Sequence, residues 1–374
     1  MVGIVLCGFA GLIELIARRI TKQVAVGGAS VGGGAPILVQ GMTNVHTRDW
    51  ERCLEQVAGL IDRGCELVRL AVPTKEDTDA LTKIVGQVSI PIVADVHFHY
   101  QRALEAIEAG VHKIRLNPGN IQDRKQVEEV IAACKSHDVA IRVGVNEGSI
   151  SRRLSQAERQ DDDFMVKLMV ETLADTIRIF EANQFEPLVI SAKSHDVRRT
   201  IALNRAVSET FDYPIHLGVT HAGDPLTGSV RNATALGSLL ADGIGDTIRV
   251  SLAGDPSTEI EVAWEILSSL GLRPRKRPEL IACPTCGRME IDLLRMVQEV
   301  KTGLQEIHQP ITVAVMGCVV NGPGEAQGAD VALCGGRDKA LIYRAGKKVA
   351  TVPADKAVEA LLEQVRIFTG AMQN

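Results

Sequence analysis

Two short pieces in the last third of the chain carry residues able to bind a metal: Ala282-Cys283-Pro284-Thr285-Cys286 and Gly317-Cys318-Val319-Val320-Asn321-Gly322-Pro323-Gly324-Glu325. Together they offer three thiols and one carboxylate to a single centre. Three thiolates are one short of a closed zinc site built wholly from cysteine or a fully thiolate-ligated cubane, and the residues beside the third are turn formers. Pro284 and Pro323 oppose helix while Gly322 and Gly324 permit φ > 0, so both pieces suit loops folded around a bulky inorganic group. A lone CxxC serves zinc, a redox dithiol or nothing at all. A further Cys in a Gly/Pro loop brings an iron-sulfur cluster level with those readings. On spacing alone the fourth position is open between Glu325, reached across the Asn321–Gly324 turn, water, and Cys334 at the end of the run Val331-Ala332-Leu333. Glu325 is preferred, because a carboxylate is a harder and more labile ligand that can vacate an iron for substrate.

A second set of residues lies upstream. Strand period two puts Arg115 with Asn117, Arg142 with Gly144 and Asn146, and Arg249 with Ser251 on common faces, and Arg69 and Lys193 join them. All five cations sit in or at the end of apolar runs, where an unpaired charge costs several kcal/mol. Asp95 and Asp246 can neutralise two as structural ion pairs. The better account is a polyanionic ligand, and two phosphates would suit five cations, with Arg forks on phosphoryl oxygens and Lys193 as a point charge. His97, His99 and His221 follow strand ends and are candidate proton donors, whereas Cys53, Cys65 and Cys134 read as packing residues.

The elements that must position these groups repeat. Eight β-branched runs recur, at residues 37–42, 67–72, 91–96, 113–118, 140–145, 188–193, 214–219 and 247–252, with amphipathic stretches between them. That predicts a TIM (β/α)8 barrel over 37–270, with the cations at its C-terminal mouth. Residues 1–36 predict a helix and, at Gly27–Gly34, a hairpin lid. A basic linker over 271–278 leads to a small α+β domain over 279–374, and Arg273–Arg277 is a candidate docking patch whose plainer reading is a solvated charge run.

Composition excludes other classes. A net charge of -5, a pI of about 6.0 and two Trp, three Tyr and seven Phe in 374 residues argue against a nucleic-acid partner. The apolar start, residues 1–20, is too short and too broken for a membrane span, and lacks basic residues ahead of it for a signal peptide. Eight cysteines without a small secreted disulfide pattern fit the reducing cytoplasm.

From about Arg18 onward the chain resembles the bacterial 4-hydroxy-3-methylbut-2-enyl diphosphate synthases, iron-sulfur reductases of the non-mevalonate isoprenoid pathway. The resemblance is carried by Gly33-Gly34-Ala35-Pro36-Ile37, Met42-Thr43-Asn44, Val93-Ala94-Asp95-Val96-His97-Phe98, Arg115-Leu116-Asn117-Pro118-Gly119-Asn120, Arg142-Val143-Gly144-Val145-Asn146, Arg249-Val250-Ser251-Leu252 and both Cys loops. It implies reductive opening and dehydroxylation of 2-C-methyl-D-erythritol 2,4-cyclodiphosphate. It also implies a [4Fe-4S] cluster on Cys283, Cys286, Cys318 and Glu325, a flavodoxin or ferredoxin donor, and a homodimer in which each cluster domain caps the partner's barrel. The implied substrate site is Arg69, Asp95, His97, Arg115, Asn117, Arg142, Lys193, Arg249 and Ser251, with Glu325, His221 and Asn146 in catalytic roles. This chain departs from the family in having Gly41 for its usual Ser and His221 for its usual Glu. A non-catalytic zinc or redox protein, and a pterin-type barrel acting on another phosphorylated ligand, are the competing expectations.

Overall fold

The computed structural model describes residues 16–96, 99–116, 124–150, 154–318 and 322–371, with Ser149, Pro323, Glu325 and Ala371 described by backbone alone. The chain divides into two compact units, Met1–Arg273 and Pro274–Asn374. The first begins with an antiparallel hairpin of β1 (Val24–Val26) and β2 (Ala29–Val31). Parallel strands follow: β3 (Leu38–Met42), β4 (Leu67–Ala71), β5 (Ile92–Asp95), β6 (Lys113–Leu116), β7 (Ala140–Asn146), β8 (Leu188–Lys193), β9 (His216–Leu217) and β10 (Thr247–Ile248). They pair in the order β8-β7-β6-β5-β4-β3-β10-β9, and a parallel bridge from Ile190 to Ile215 nearly closes the ring. The expected (β/α)8 barrel is therefore the fold.

Side-chain alternation decides what each strand presents. Val39, Val68, Ile141 and Ile190 join the large core between sheet and helices, where Val57 and Leu60 of the helix Trp50–Asp62 and Leu173 and Ile177 of the helix Asp162–Ala182 pack on them. Their neighbours Leu38, Leu67, Ala140 and Val189 instead gather with Val24, Val26 and Val31 of the hairpin. These lie at the strand starts, so the hairpin plugs the N-terminal end of the barrel rather than forming a lid over its mouth. Two residues further along each strand, the same inward face carries Gln40, Arg69, Arg142 and Ser191.

Below the plug, Arg18 donates to Gly245 O at 3.2 Å and pairs with Asp246 at 3.1 Å, while Arg19 donates to the carbonyls of Ser208, Phe211 and Tyr213. Asp246 also accepts from Ile215 N at 2.8 Å. Asp246 thus serves the barrel floor, and the expectation that it neutralises a mouth cation is corrected. Most of the helix expected over the first 20 residues, 1–15, lies outside the described residues, and 16–20 form no helix.

The second unit is a five-stranded sheet in the order β11 (Glu279–Ala282), β12 (Thr312–Met316), β13 (Val331–Gly335), β14 (Lys339–Arg344) and β15 (Lys347–Pro353). The first three strands are parallel and the last two antiparallel, with the helices Leu293–Gly303 and Ala357–Ala371 supplying the core residues Met296, Val300, Leu361 and Val365. Strand β11 was not legible from sequence because it is short and half exposed. The arginines ahead of it are not a solvated charge run. Arg273 pairs with Glu66 at 2.8 Å and stacks on Trp264, Arg275 pairs with Glu279 at 3.0 Å, and Arg277 donates to Gln305 O at 3.0 Å. Among the described residues no helix is long and apolar enough to cross a membrane.

Candidate active site

At the C-terminal ends of the barrel strands the five expected cations share the interior face. Asp95, 2% exposed, stands between two of them, 3.3 Å from Arg115 and 3.6 Å from Arg69. Arg69 also donates to the Met42 sulfur at 2.9 Å, and its burial pulls the guanidinium down to about 10. Arg249 is held by Glu259 at 3.1 Å, whose other oxygen accepts from Leu252 N at 2.9 Å. Glu259, from the helix Pro256–Ser269, therefore takes the part expected of Asp246.

Among the described residues two of these cations have no carboxylate partner. Arg142, 2% exposed, donates to Ser191 Oγ at 2.8 Å, and its Nε has no partner. Lys193 Nζ lies 3.2 Å from His216 Nε2, and His216 Nδ1 lies 2.8 Å from Thr247 Oγ1. Lys193 donating to Nε2 leaves the imidazole proton on Nδ1 for Thr247, so His216 acts as a neutral prop beneath the ammonium. Burial, then the neighbouring cations, hold Arg142, Lys193 and His216 well below their ordinary values. Gly218 makes room for this arrangement, because a Cβ there would stand 2.7 Å from Lys193 Nζ and from Arg249 O. An anion entering the mouth would thus meet guanidinium and ammonium groups already desolvated and fixed in direction, the condition under which charge-assisted hydrogen bonds are strongest.

Sequence reasoning missed four residues here. Lys113, one strand period before Arg115, is fully buried with no partner at Nζ. The same period-two count that paired Arg115 with Asn117 would have found it. His216 and Glu259 had no signal apart from their polarity in apolar surroundings. Glu147, directly after Asn146, accepts from Ser194 Oγ and Arg199 and lies 3.3 Å from His195 Nδ1, and Arg199 continues to Asp162 at 2.6 Å. That network ties the turn after Lys193 to the end of β7.

Of the other expected site residues, Asn146 ends β7 half-buried, and Ser251 is half-buried with its carbonyl accepting from Asn232 at 3.4 Å. His221 is exposed on a backbone with φ 54, a left-handed conformation that non-glycine residues adopt at a cost. His99 precedes the helix Tyr100–Glu108 and is exposed. His97 and Asn117 lie outside the described residues, as does the side chain of Glu325.

In the second unit, parallel pairing brings the sulfurs to one sheet edge. Ala282 of β11 lies opposite Val315 of β12, and Met316 opposite Cys334 of β13, so Cys283 and Cys318 both leave the C-terminal ends of adjacent strands. Cys283 Sγ accepts from Gly317 N at 3.1 Å, and the backbone N–H and guanidinium of Arg288 lower the exposed Cys286 thiol. Amide donors aimed at sulfur favour thiolate, the form that binds iron, so the donor chemistry fits a cluster. Among the described residues no three His, Cys, Asp or Glu side chains are already gathered as a metal site. Cys334 is fully buried among Ala314, Met316, Ala326 and Ala332, and burial, with Cys318 and Cys283 nearby, pushes its thiol up to about 11. Its environment is that of a packing residue.

Comparison with known proteins covers both units. Residues 21–264 match the GcpE TIM-barrel domain and residues 279–367 the GcpE protein C-terminal domain. The 4-hydroxy-3-methylbut-2-en-1-yl diphosphate synthase (flavodoxin) of Lawsonia intracellularis is 47% identical over 352 residues, covering 93% of this chain and 96% of its own. The protein of the same name from Symbiobacterium thermophilum is 47% identical over 358 residues, 94% of each chain. Among solved structures, Plasmodium falciparum HPPK-DHPS with pterin and p-hydroxybenzoate superposes with a TM-score of 0.50 at 12% identity, covering 67% of this chain and 49% of its own. That likeness shows the barrel fold.

Proposed function

We infer the activity from one premise: the chain belongs to the GcpE family, whose curated members are 4-hydroxy-3-methylbut-2-en-1-yl diphosphate synthases. It opens 2-C-methyl-D-erythritol 2,4-cyclodiphosphate and removes a hydroxyl as water, giving 4-hydroxy-3-methylbut-2-enyl diphosphate for two electrons and one proton. The observation that supports this most directly is the pair of buried cations, Arg142 and Lys193, that lack carboxylate partners at the mouth of a barrel.

In this reading Arg69, Arg115, Arg142, Lys193 and Arg249 clamp the two phosphates, while Asn117, Asn146 and Ser251 orient them. Asp95 keeps Arg69 and Arg115 from repelling one another, and His97 borders the substrate. Cys283, Cys286, Cys318 and Glu325 would hold a [4Fe-4S] cluster, which would supply the electrons taken from flavodoxin, the donor in the relatives' names, or from a ferredoxin. His221 stands where the family has a carboxylate and is the proposed donor of the proton that leaves with the hydroxyl. The organisation is a substrate barrel over 37–270 and a cluster domain over 279–374, working as a homodimer in the cytoplasm.

The test is anaerobic turnover of the cyclic diphosphate by cluster-loaded protein with a strong reductant; absence of product rejects the assignment. Glu325→Ala should perturb the cluster spectrum and nearly abolish turnover, while Cys334→Ala leaves both near wild type. The reverse result gives the fourth position to Cys334.

A further inference from the structure

Lys113 is a buried cation of the barrel that the clamp does not use. It lies on β6 directly before Ile114 and Arg115, is 0% exposed, and its Nζ has no hydrogen-bond partner. Among the described residues the groups around it offer no counter-charge. On β4 and β7 the charges acting on it are Arg69 and Arg142, on β9 it lies near the neutral His216, and on its own strand Arg115 follows one strand period later. Arg249 of β10 is held by Glu259. The one carboxylate of the neighbouring strand β5, Asp95, is shared between Arg69 and Arg115. Gln40, which shares the inward face on β3, is neutral, and its side-chain amide is also unpartnered. Beneath lies the apolar plug of Val24, Val26 and Val31.

A buried ammonium in such surroundings is strongly disfavoured, and a neutral amine with no acceptor or donor beside it gains nothing. Only the ammonium improves when negative charge arrives above the arginines, because the anion offsets the field of Arg69 and Arg142 that opposes protonation. We propose that Lys113 is a positioning cation for the anion at the mouth: it takes a proton from solvent when a diphosphate settles there, so that anion binding is coupled to proton uptake. The depression of Lys113 to about 7, caused first by burial and then by Arg142 and Arg69, places the exchange near neutrality. The inference rests on the proposed diphosphate-binding function of the barrel, but not on the cluster or the redox step.

Titration calorimetry of the full-length, cluster-loaded protein with inorganic pyrophosphate, at about pH 8 in two buffers of different ionisation enthalpy, counts the protons taken up. Pyrophosphate's own ionisation is common to every variant and cancels in the difference. The wild type should take up about half to one proton more than Lys113→Met and bind pyrophosphate roughly 10-fold more tightly, with the gap narrowing at higher pH. Without anion, Lys113→Met should melt at the same temperature as wild type or higher, since it removes an unpartnered buried amine. A structural lysine would give the opposite pattern, a lower melting temperature with unchanged proton count, and that result overturns the proposal. Lys113→Gln repeats the comparison should the Met variant fold poorly. Pyrophosphate binding with equal proton uptake in wild type and variant rejects Lys113 alone, whereas absence of binding to wild type rejects the anion site and the inference with it.

Discussion

The two ends of the barrel are built on opposite principles from the same strands. At the N-terminal end Leu38, Leu67, Ala140 and Val189 close on the hairpin valines, and the charges below them, Arg18 and Asp246, are paired with each other and with backbone carbonyls and amides. Further along, the inward faces turn to Arg142 and Lys193, and Lys113 stands level with Ala140 beneath them; among the described residues Arg142 Nε and Lys113 Nζ are buried without partners. Apart from Arg18 Nε, one end is satisfied within the chain, whereas the other leaves two cations without a carboxylate among the described residues. Stability resides in the first, whereas the second carries a standing electrostatic cost, the usual sign that a polar cluster is kept for binding.

The strongest way to break the contrast is to remove the carboxylate that two of the mouth cations share. Asp95→Asn leaves Arg69 and Arg115 buried together, and should cost about 3–5 kcal/mol in denaturant unfolding. Pyrophosphate should restore much of that loss, and failure to do so would mean that the mouth does not take anions. Next comes Arg142→Met, expected to weaken pyrophosphate binding by about 10²-fold in calorimetry while leaving the melting temperature unchanged or raised. Loss of stability without loss of affinity would make Arg142 a structural residue.

The opposite end should behave in the opposite sense. Leu67→Ala opens a void in the plug and should cost about 2–4 kcal/mol, with pyrophosphate affinity unchanged in the protein that remains folded. The smallest effect is on pH. Lys113 has a folded value of about 7 against an ordinary 10.5, so between these the unfolded chain binds the extra proton. Stability should therefore rise with pH across that window, and on acidification its loss is complete by about pH 7. The gain should be about 1–2 kcal/mol from pH 7 to 9 by denaturant midpoint, with Lys193 acting in the same direction and His216 contributing only below its ordinary 6.5. Saturating pyrophosphate should flatten that slope, and a slope untouched by anion would disconnect these groups from the mouth.

By itself the sequence determined the repeat, the strand faces and the identity of the cations, because each depends on period two and on residue type within a few neighbours. Arg115, Arg142, Lys193 and Arg249 were legible since a charged residue inside an apolar run is conspicuous wherever the chain folds. The same locality explains the failures. Asp246 and Glu259 are both carboxylates near β10, and only the strand and helix geometry sends the first down to Arg18 and the second up to Arg249. His216 became a prop for Lys193 because ring closure sets β9 beside β8, a contact between residues 23 apart. The hairpin glycines announced a turn but not which end of the barrel it would close; packing of Val24 and Val31 on Leu67 and Val189 settled that. In the second unit, the spacing of Cys283 and Cys318 said nothing of distance, since 35 residues separate them; parallel pairing of β11 with β12 brought both to one edge. Tertiary structure decided those points because a partner distant in sequence is chosen by strand order and side-chain direction, neither of which is written in any local stretch of the chain.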